Sequence, residues 1–146
     1  MVKALYTAEA RVTGGRAHGH GRTTGGELDV DIRMPKELGG EGGATNPEQL
    51  FAVGYAACFE AALSLVGQRK NLDAQDTTID ASVMLLPIGN GQLKLGVELD
   101  VTLPSIADAE QAANLVRDAH QVCPYSNAIR GNVDVAFVVN GAPLEA

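Results

Sequence analysis

Two periodicities organise this chain. Leu93, Leu95, Val97, Leu99, Val101 and Leu103 alternate with Lys94, Glu98, Asp100 and Thr102, the period of two of a half-buried strand. Ile79, Ala81, Val83 and Leu85 alternate in the same way, and Gly89-Asn90-Gly91 separates the two runs. Together they predict a hairpin closed by an Asn-Gly turn. Leu28, Val30 and Ile32 form a shorter alternating run, as do Val133, Val135, Phe137 and Val139. Residues 2–12 read as an N-terminal strand with imperfect alternation. Between it and Leu28, Gly14 to Gly26 is a turn-rich connector with room for a short strand. Pro35 to Thr45, which includes Gly39-Gly40-Glu41-Gly42-Gly43, reads as a loop.

The second periodicity is helical. Asn46-Pro47-Glu48 supplies a cap, a proline at the first helical position and an acid in the first turn, so a helix is predicted from there to about Lys70. From Leu50 to Val66 it is apolar on almost every side (Leu50, Phe51, Val53, Tyr55, Phe59, Leu63, Leu65, Val66). A helix of that kind needs cover all round, and a small sheet covers only one side. A second helix or a second copy of the chain must supply the rest, and an intertwined homodimer is the preferred expectation. Asp108 with Gln111 opens the second helix in the manner of a capping box. Its stripe is Ala109, Ala112, Ala113, Val116 and Ala119, with Cys123 in phase and Pro124 ending it. Strands, helix, hairpin, helix, strand is the order of an α+β domain without βαβ repeats. No repeat or linker interrupts 1–146, so one domain is expected.

Composition narrows the function. A net charge of −7 and the lack of any Lys/Arg run argue against nucleic-acid binding, which needs a basic face. The N-terminus carries no signal-peptide pattern, and Leu50 to Val66 falls short of the ~20 residues of a membrane span. These features predict a cytoplasmic protein that neither crosses nor binds a membrane. In a reducing compartment its two cysteines should rest as thiols, and two are too few for the usual four-ligand zinc site.

The two cysteines are therefore the first candidates for chemistry. Cys58, within the apolar helix, reads on its own as a small buried hydrophobe. Cys123 differs, because at a helix end before Pro124-Tyr125-Ser126-Asn127 the backbone turns away and its sulfur could be exposed. Both lie on core-directed faces, so a disulfide, which needs Cα atoms within about 7 Å, is open to them. A reactive cysteine must be a thiolate, and a free thiol of pKa about 8.5 is only a few per cent ionised at neutral pH. Cys58 lies about 18 Å beyond Asn46 along a straight helix, outside the reach of the helix dipole, and burial raises a thiol pKa. A cation is needed, best an arginine. Arg16 follows Gly14-Gly15 in a turn where its side chain could fold inward, although by itself it reads as an exposed loop charge. His18-Gly19-His20 lacks companion metal ligands and reads as surface histidine. His120, one turn before Cys123, is a base or, more simply, a hydrogen-bonded structural histidine. The Gly39–Gly43 stretch lacks the Gly-Lys-Ser/Thr ending of a phosphate loop.

Three segments carry a resemblance: Thr45-Asn46-Pro47-Glu48-Gln49-Leu50-Phe51, Gly54-Tyr55-Ala56-Ala57-Cys58-Phe59, and His120-Gln121-Val122-Cys123-Pro124-Tyr125-Ser126-Asn127-Ala128. Together with Leu5-Tyr6-Thr7-Ala8, Thr13-Gly14-Gly15-Arg16 and Glu37-Leu38-Gly39-Gly40 they resemble the organic hydroperoxide resistance (Ohr) family of the OsmC-like group over nearly the whole chain. His18 to Gly26 departs from the family pattern. The resemblance implies an OsmC/Ohr-like fold, with antiparallel sheets packed around long central helices in an intertwined homodimer. It also implies a cytoplasmic thiol peroxidase without metal or bound cofactor, which takes electrons from dihydrolipoamide or a lipoylated protein. On the same resemblance Cys58 is the peroxidatic cysteine and Cys123 the resolving one, and Arg16 with Glu48 forms the thiolate-activating pair. Phe51, Tyr55 and Phe59 would give an alkyl or fatty-acid hydroperoxide an apolar pocket, although plain core packing explains such residues equally well. Ten residues separate Glu48 from Cys58, about 15 Å on one straight helix, so a site shared between subunits is expected unless that helix bends. The rival readings are a redox sensor whose cysteines react once and a broader OsmC-type peroxidase.

Overall fold

Local chemistry sets where each element begins and ends in the computed structural model, which describes residues 2–144. The chain divides into two compact units, residues 1–50 and 51–146. The first contains a three-stranded antiparallel sheet, β1 (Ala10–Thr13), β2 (Gly19–Thr23) and β3 (Asp29–Ile32), in that order. The β1–β2 turn depends on Gly14, whose φ of +73° favours glycine and whose Cβ, if present, would lie 2.2 Å from the His18 carbonyl oxygen. β2 is the short strand for which the connector left room. The predicted N-terminal strand is shorter than its sequence pattern. β2 pairs with β1 only from Ala10 to Thr13, and upstream of it Val2, Leu5 and Tyr6 stand in solvent, Leu5 completely. Alternation alone does not hold a strand that has no ladder partner. After β3, Arg33 N–H donates to the Thr45 carbonyl at 2.9 Å, and the intervening loop contains a single 3-10 turn at Lys36–Leu38.

Helix α1 runs from Pro47 to Lys70, the predicted span. Asn46 Oδ1 accepts from the Gln49 N–H at 2.8 Å, which caps it. In the second unit its Tyr55, Phe59, Ala62, Leu63 and Val66 join one core cluster with Val97, Leu99, Val101, Phe137 and Val139. The far side of α1 is also apolar but uncovered: Val53 is 71% exposed and Leu65 44%.

A four-stranded sheet supplies the rest of that core, in the order β4 (Thr78–Gly89), β5 (Gln92–Thr102), β6 (Val135–Val139), β7 (Ala142–Pro143). β4 and β5 form the predicted hairpin, turning through Gly89, Asn90 and Gly91, all at positive φ. The sheet is not wholly antiparallel, and this corrects the sequence reading. β6 lies parallel to β5, with Leu99 opposite Phe137. From the end of β5 the chain returns through helices α2 (Ala109–Val122) and α3 (Pro124–Ile129), so β6 enters in the direction of β5, as a crossover of a dozen or more residues allows. Asp108 caps α2, accepting from the Gln111 N–H at 2.9 Å, and α2 buries Ala112, Leu115, Val116 and Ala119. Pro124 ends α2 but also starts α3, because a proline at a first helical position gives up only an N–H that has no helical partner.

Candidate active site

The corner between α2 and α3 holds Cys123. Its extended backbone (φ −66°, ψ 124°) makes it both the last cap of α2 and the first of α3, and its side chain joins the core, fully buried rather than exposed as its place at a helix end suggested. Cys58, on α1, is partly exposed, and the two sulfurs lie 3.7 Å apart. Sulfurs at that separation touch without bonding, since a disulfide is about 2.05 Å long. Both thiols are free, and the sulfurs need to close by less than 2 Å to join.

The surroundings of Cys58 within its own unit do not ionise it. Burial pushes its pKa up, a hydrogen bond from the Tyr125 backbone opposes this, and the hydrogen bond and charge of Cys123 push it up again, leaving it above the ordinary thiol value. Of the three aromatic residues expected around a substrate, Tyr55 and Phe59 are fully buried core residues and Phe51 keeps some exposed surface. Phe51 meets Tyr55 and Tyr125 edge-on, with centroids at 6.1 and 5.9 Å. Gly54 lets Tyr125 close in, since a Cβ there would lie 2.6 Å from the tyrosine hydroxyl oxygen.

In the first unit, the β1–β2 turn presents Arg16 to Glu48. Two parallel hydrogen bonds, 3.1 Å from Nη1 to Oε2 and 3.0 Å from Nη2 to Oε1, make the pair bidentate. Burial pushes the Glu48 carboxyl up, but the Arg16 hydrogen bonds, the residue's own backbone and the guanidinium charge outweigh it and hold the pKa below the usual value. Arg16 is therefore an oriented cation rather than a loose loop charge, and its side chain remains 36% exposed. His18 is exposed, with an acid at 3.9 Å. His20 bridges two aspartates, Asp31 at 2.8 Å and Asp29 at 2.5 Å. Among the described residues no His/Cys/Asp/Glu group is arranged to hold a metal ion.

His120 is hydrogen-bonded, as expected, but the polar chain next to the thiols that it ends was not foreseen. Tyr55 Oη and Ser126 Oγ are 2.6 Å apart, and Ser126 Oγ and His120 Nδ1 are 2.7 Å apart. Ser126 sits inside the segment that carries Cys123, but nothing in the sequence indicated that it faces Tyr55, 71 residues away.

Two touching thiols, one in a central helix and one at a helix corner of an α+β fold, define a dithiol protein. The model of the OsmC-like protein family matches residues 40–138. An organic hydroperoxide resistance protein from Xanthomonas axonopodis pv. citri is 48% identical over 94% of this chain and 96% of its own length. The crystal structure of an organic hydroperoxide resistance protein from Legionella pneumophila superposes with a TM-score of 0.89 at 52% identity, covering 94% of this chain and 98% of that one. For OhrB of Bacillus subtilis the TM-score is 0.84 at 46% identity, covering 93% and 99%. The chain belongs to the OsmC-like family and, within it, to the organic hydroperoxide resistance proteins.

Proposed function

We propose that this chain is a thiol peroxidase that reduces organic hydroperoxides to alcohols and so detoxifies them in the cytoplasm. The observation that carries this reading is the 3.7 Å approach of the Cys58 and Cys123 sulfurs. The names of its relatives support the substrate class. The Cys58 thiolate attacks the terminal peroxide oxygen. An S–O bond forms, the O–O bond breaks with its electron pair leaving on the alkoxide, and protonation gives the alcohol and a sulfenic acid on Cys58. Cys123 then displaces the sulfenic oxygen, releasing water and closing a disulfide. Dihydrolipoyl groups, free or on a lipoylated protein, reopen it by thiol exchange, and no metal or bound cofactor takes part.

The thiolate requires a cation, and the groups acting on Cys58 leave its pKa raised. Glu48, which grips Arg16, precedes Cys58 by ten residues of an unbroken α1, about 15 Å of helix rise. The active unit is thus an intertwined homodimer of single-domain chains (1–146), in which the Arg16–Glu48 pair of one subunit serves Cys58 of the other. Arg16 stabilises the thiolate and then the developing alkoxide, and Glu48 fixes the guanidinium. The uncovered apolar side of α1, with Val53 71% exposed, supports burial against a second copy. Phe51, Tyr55 and Phe59 give the Cys58 side of α1 its apolar character, which suits alkyl and fatty-acid hydroperoxides.

The test is steady-state turnover with dihydrolipoamide, comparing cumene hydroperoxide with hydrogen peroxide. Cys58→Ser should abolish consumption, and Cys123→Ser should stop after one equivalent in the absence of added thiol. A wild-type chain that oxidises once and does not turn over would be a sensor. Equal kcat/KM for the two peroxides would indicate the broader peroxidase.

A further inference from the structure

The Tyr55–Ser126–His120 chain has no place in the reaction above, yet it is built against the reacting sulfurs. Tyr55 lies three residues before Cys58 on α1, and Ser126 three residues after Cys123 at the α2–α3 corner. Residues three apart on a helix are neighbours about 5–6 Å apart. The Tyr55–Ser126 hydrogen bond therefore forms a second rung beside the sulfur rung, at 2.6 Å against 3.7 Å. Tyr55, Ser126 and Cys123 are all fully buried, whereas His120 is only half-buried. His120 lines an open surface groove of about 530 Å³ together with Glu98, Arg117, Gln121 and Phe137. The chain thus leads from beside the thiols towards water.

We propose that Tyr55, Ser126 and His120 are positioning residues for disulfide closure, a hydrogen-bonded chain that fixes Cys123 beside Cys58 and exchanges the proton of that step with the surface. The inference rests on the peroxidase reading. In the closing step Cys123 supplies the electron pair of the new S–S bond and loses its proton. The Cys58 S–O bond breaks with its pair on oxygen, and the departing hydroxide takes up a proton to leave as water. No oxidant beyond the sulfenic acid is needed, but one proton must leave a buried sulfur and one must arrive nearby.

A chain of two hydroxyls ending in an imidazole can do this because it runs in either direction. With Nδ1 of His120 unprotonated, Ser126 donates to it and Tyr55 donates to Ser126. With Nδ1 protonated, Ser126 donates to Tyr55, whose own O–H is released for a neighbouring sulfur or oxygen. The electrostatics agree with this. Burial raises the Tyr55 pKa, Ser126 opposes, and charge on either cysteine raises it further, so Tyr55 senses both sulfurs. Burial and the Arg130 charge depress the His120 pKa, which keeps the imidazole neutral and able to take a proton at neutral pH. The charged groups facing His120 are Arg130, whose Nη2 donates to the His120 carbonyl at 2.5 Å, and Glu98 and Arg117 in the groove. Phe137 covers the ring edge-on at 5.0 Å.

The experiment is quench-flow mass spectrometry of the full-length protein with cumene hydroperoxide, which separates sulfenic acid formation from disulfide closure. It is run on wild type, Ser126→Ala and His120→Gln across pH, with His120 titrated by NMR. The first phase should stay within about twofold of wild type while closure slows at least about 100-fold, the low side of what a positioned proton-transfer group contributes. Sulfinic acid should accumulate in the variants. Wild-type closure should bend at the pH where His120 titrates, and His120→Gln should remove the bend. Closure unchanged in both folded variants, or slowed with the bend retained in His120→Gln, overturns the inference. If Ser126→Ala does not fold, His120→Gln, at the half-buried end, decides the matter alone. A wild-type protein with no first phase brings down the peroxidase reading itself, and this inference with it.

Discussion

Replacing Arg16 by alanine tests the weakest physical link in the proposed reaction, the ionisation of Cys58. Its own surroundings raise the thiol pKa, with burial the largest cause, so the ionising interaction must come from elsewhere, and Arg16 is the cation that the turn and Glu48 hold in place. An ordinary thiol of pKa about 8.5 is some 3% ionised at pH 7, and one shifted two units lower, which takes about 2.7 kcal/mol of differential stabilisation, is about 75% ionised, a ratio of roughly 25 in thiolate. Arg16→Ala should therefore slow the reaction with cumene hydroperoxide by at least about 25-fold at pH 7, with further loss where the guanidinium no longer stabilises the alkoxide. The sign with pH follows. Raising pH ionises the thiol without help, so the ionisation part of the defect should shrink towards pH 9–10 and only the alkoxide part should persist. Thiolate absorbance near 240 nm, followed through a titration in a Cys123→Ser background, reports the thiol pKa, and stopped-flow reports the rate. A Cys58 pKa that does not rise in Arg16→Ala, together with a rate within about threefold of wild type, would refute the reasoning.

Three further outcomes follow. Gly14→Ala places a Cβ 2.2 Å from a backbone oxygen at a positive φ, so it should displace the Arg16 turn and lower both activity and melting temperature, while Gly15→Ala, which meets nothing within 4 Å, should do less harm; calorimetry and the same peroxide assay compare them. The His20–Asp31 hydrogen bond raises the His20 pKa and lowers that of Asp31, so its stabilisation is full between the ordinary values of about 3.9 and 6.5. It is lost as pH rises through the raised His20 value or falls through the lowered Asp31 value, and the melting-temperature gap between wild type and His20→Gln should be widest near pH 5. If the apolar outer side of α1 is covered by a second chain, light scattering should find a dimer at micromolar concentration, and Val53→Glu should convert it to a monomer with impaired turnover. A stable wild-type monomer with full activity would reject the shared site.

Elements whose reasons are local were readable from the sequence. The span of α1 follows from Asn46 and Pro47 at one end and from a chain of helix-forming residues up to Lys70. The β4–β5 hairpin follows from strict alternation around Gly89-Asn90-Gly91. Features fixed by partners far along the chain were not readable. Residues 2–9 alternate like a strand but stay outside the sheet, because β2 pairs only from Ala10. The direction of β6 depends on the path of α2 and α3, which Val133-to-Val139 alternation does not encode. Arg16 alone resembled a loop charge, and across a 32-residue separation only the family resemblance, not the local pattern, paired it with Glu48.

Tyr55 shows most clearly why residue type underdetermines role. Its position in an apolar stretch beside Cys58 suggested either core packing or a substrate wall, and its ring does pack in the core. Its oxygen is what sets it apart from Phe51 and Phe59. A tyrosine hydroxyl buried without a partner costs about 1–3 kcal/mol, so a tyrosine in the interior calls for an acceptor or donor close by. Ser126 answers it at 2.6 Å from 71 residues further along the chain, and Ser126 in turn calls on His120. A phenylalanine would pack equally well and need neither. The tyrosine, serine and histidine therefore make sense as a set, and the place where they meet is one helical turn from the two sulfurs.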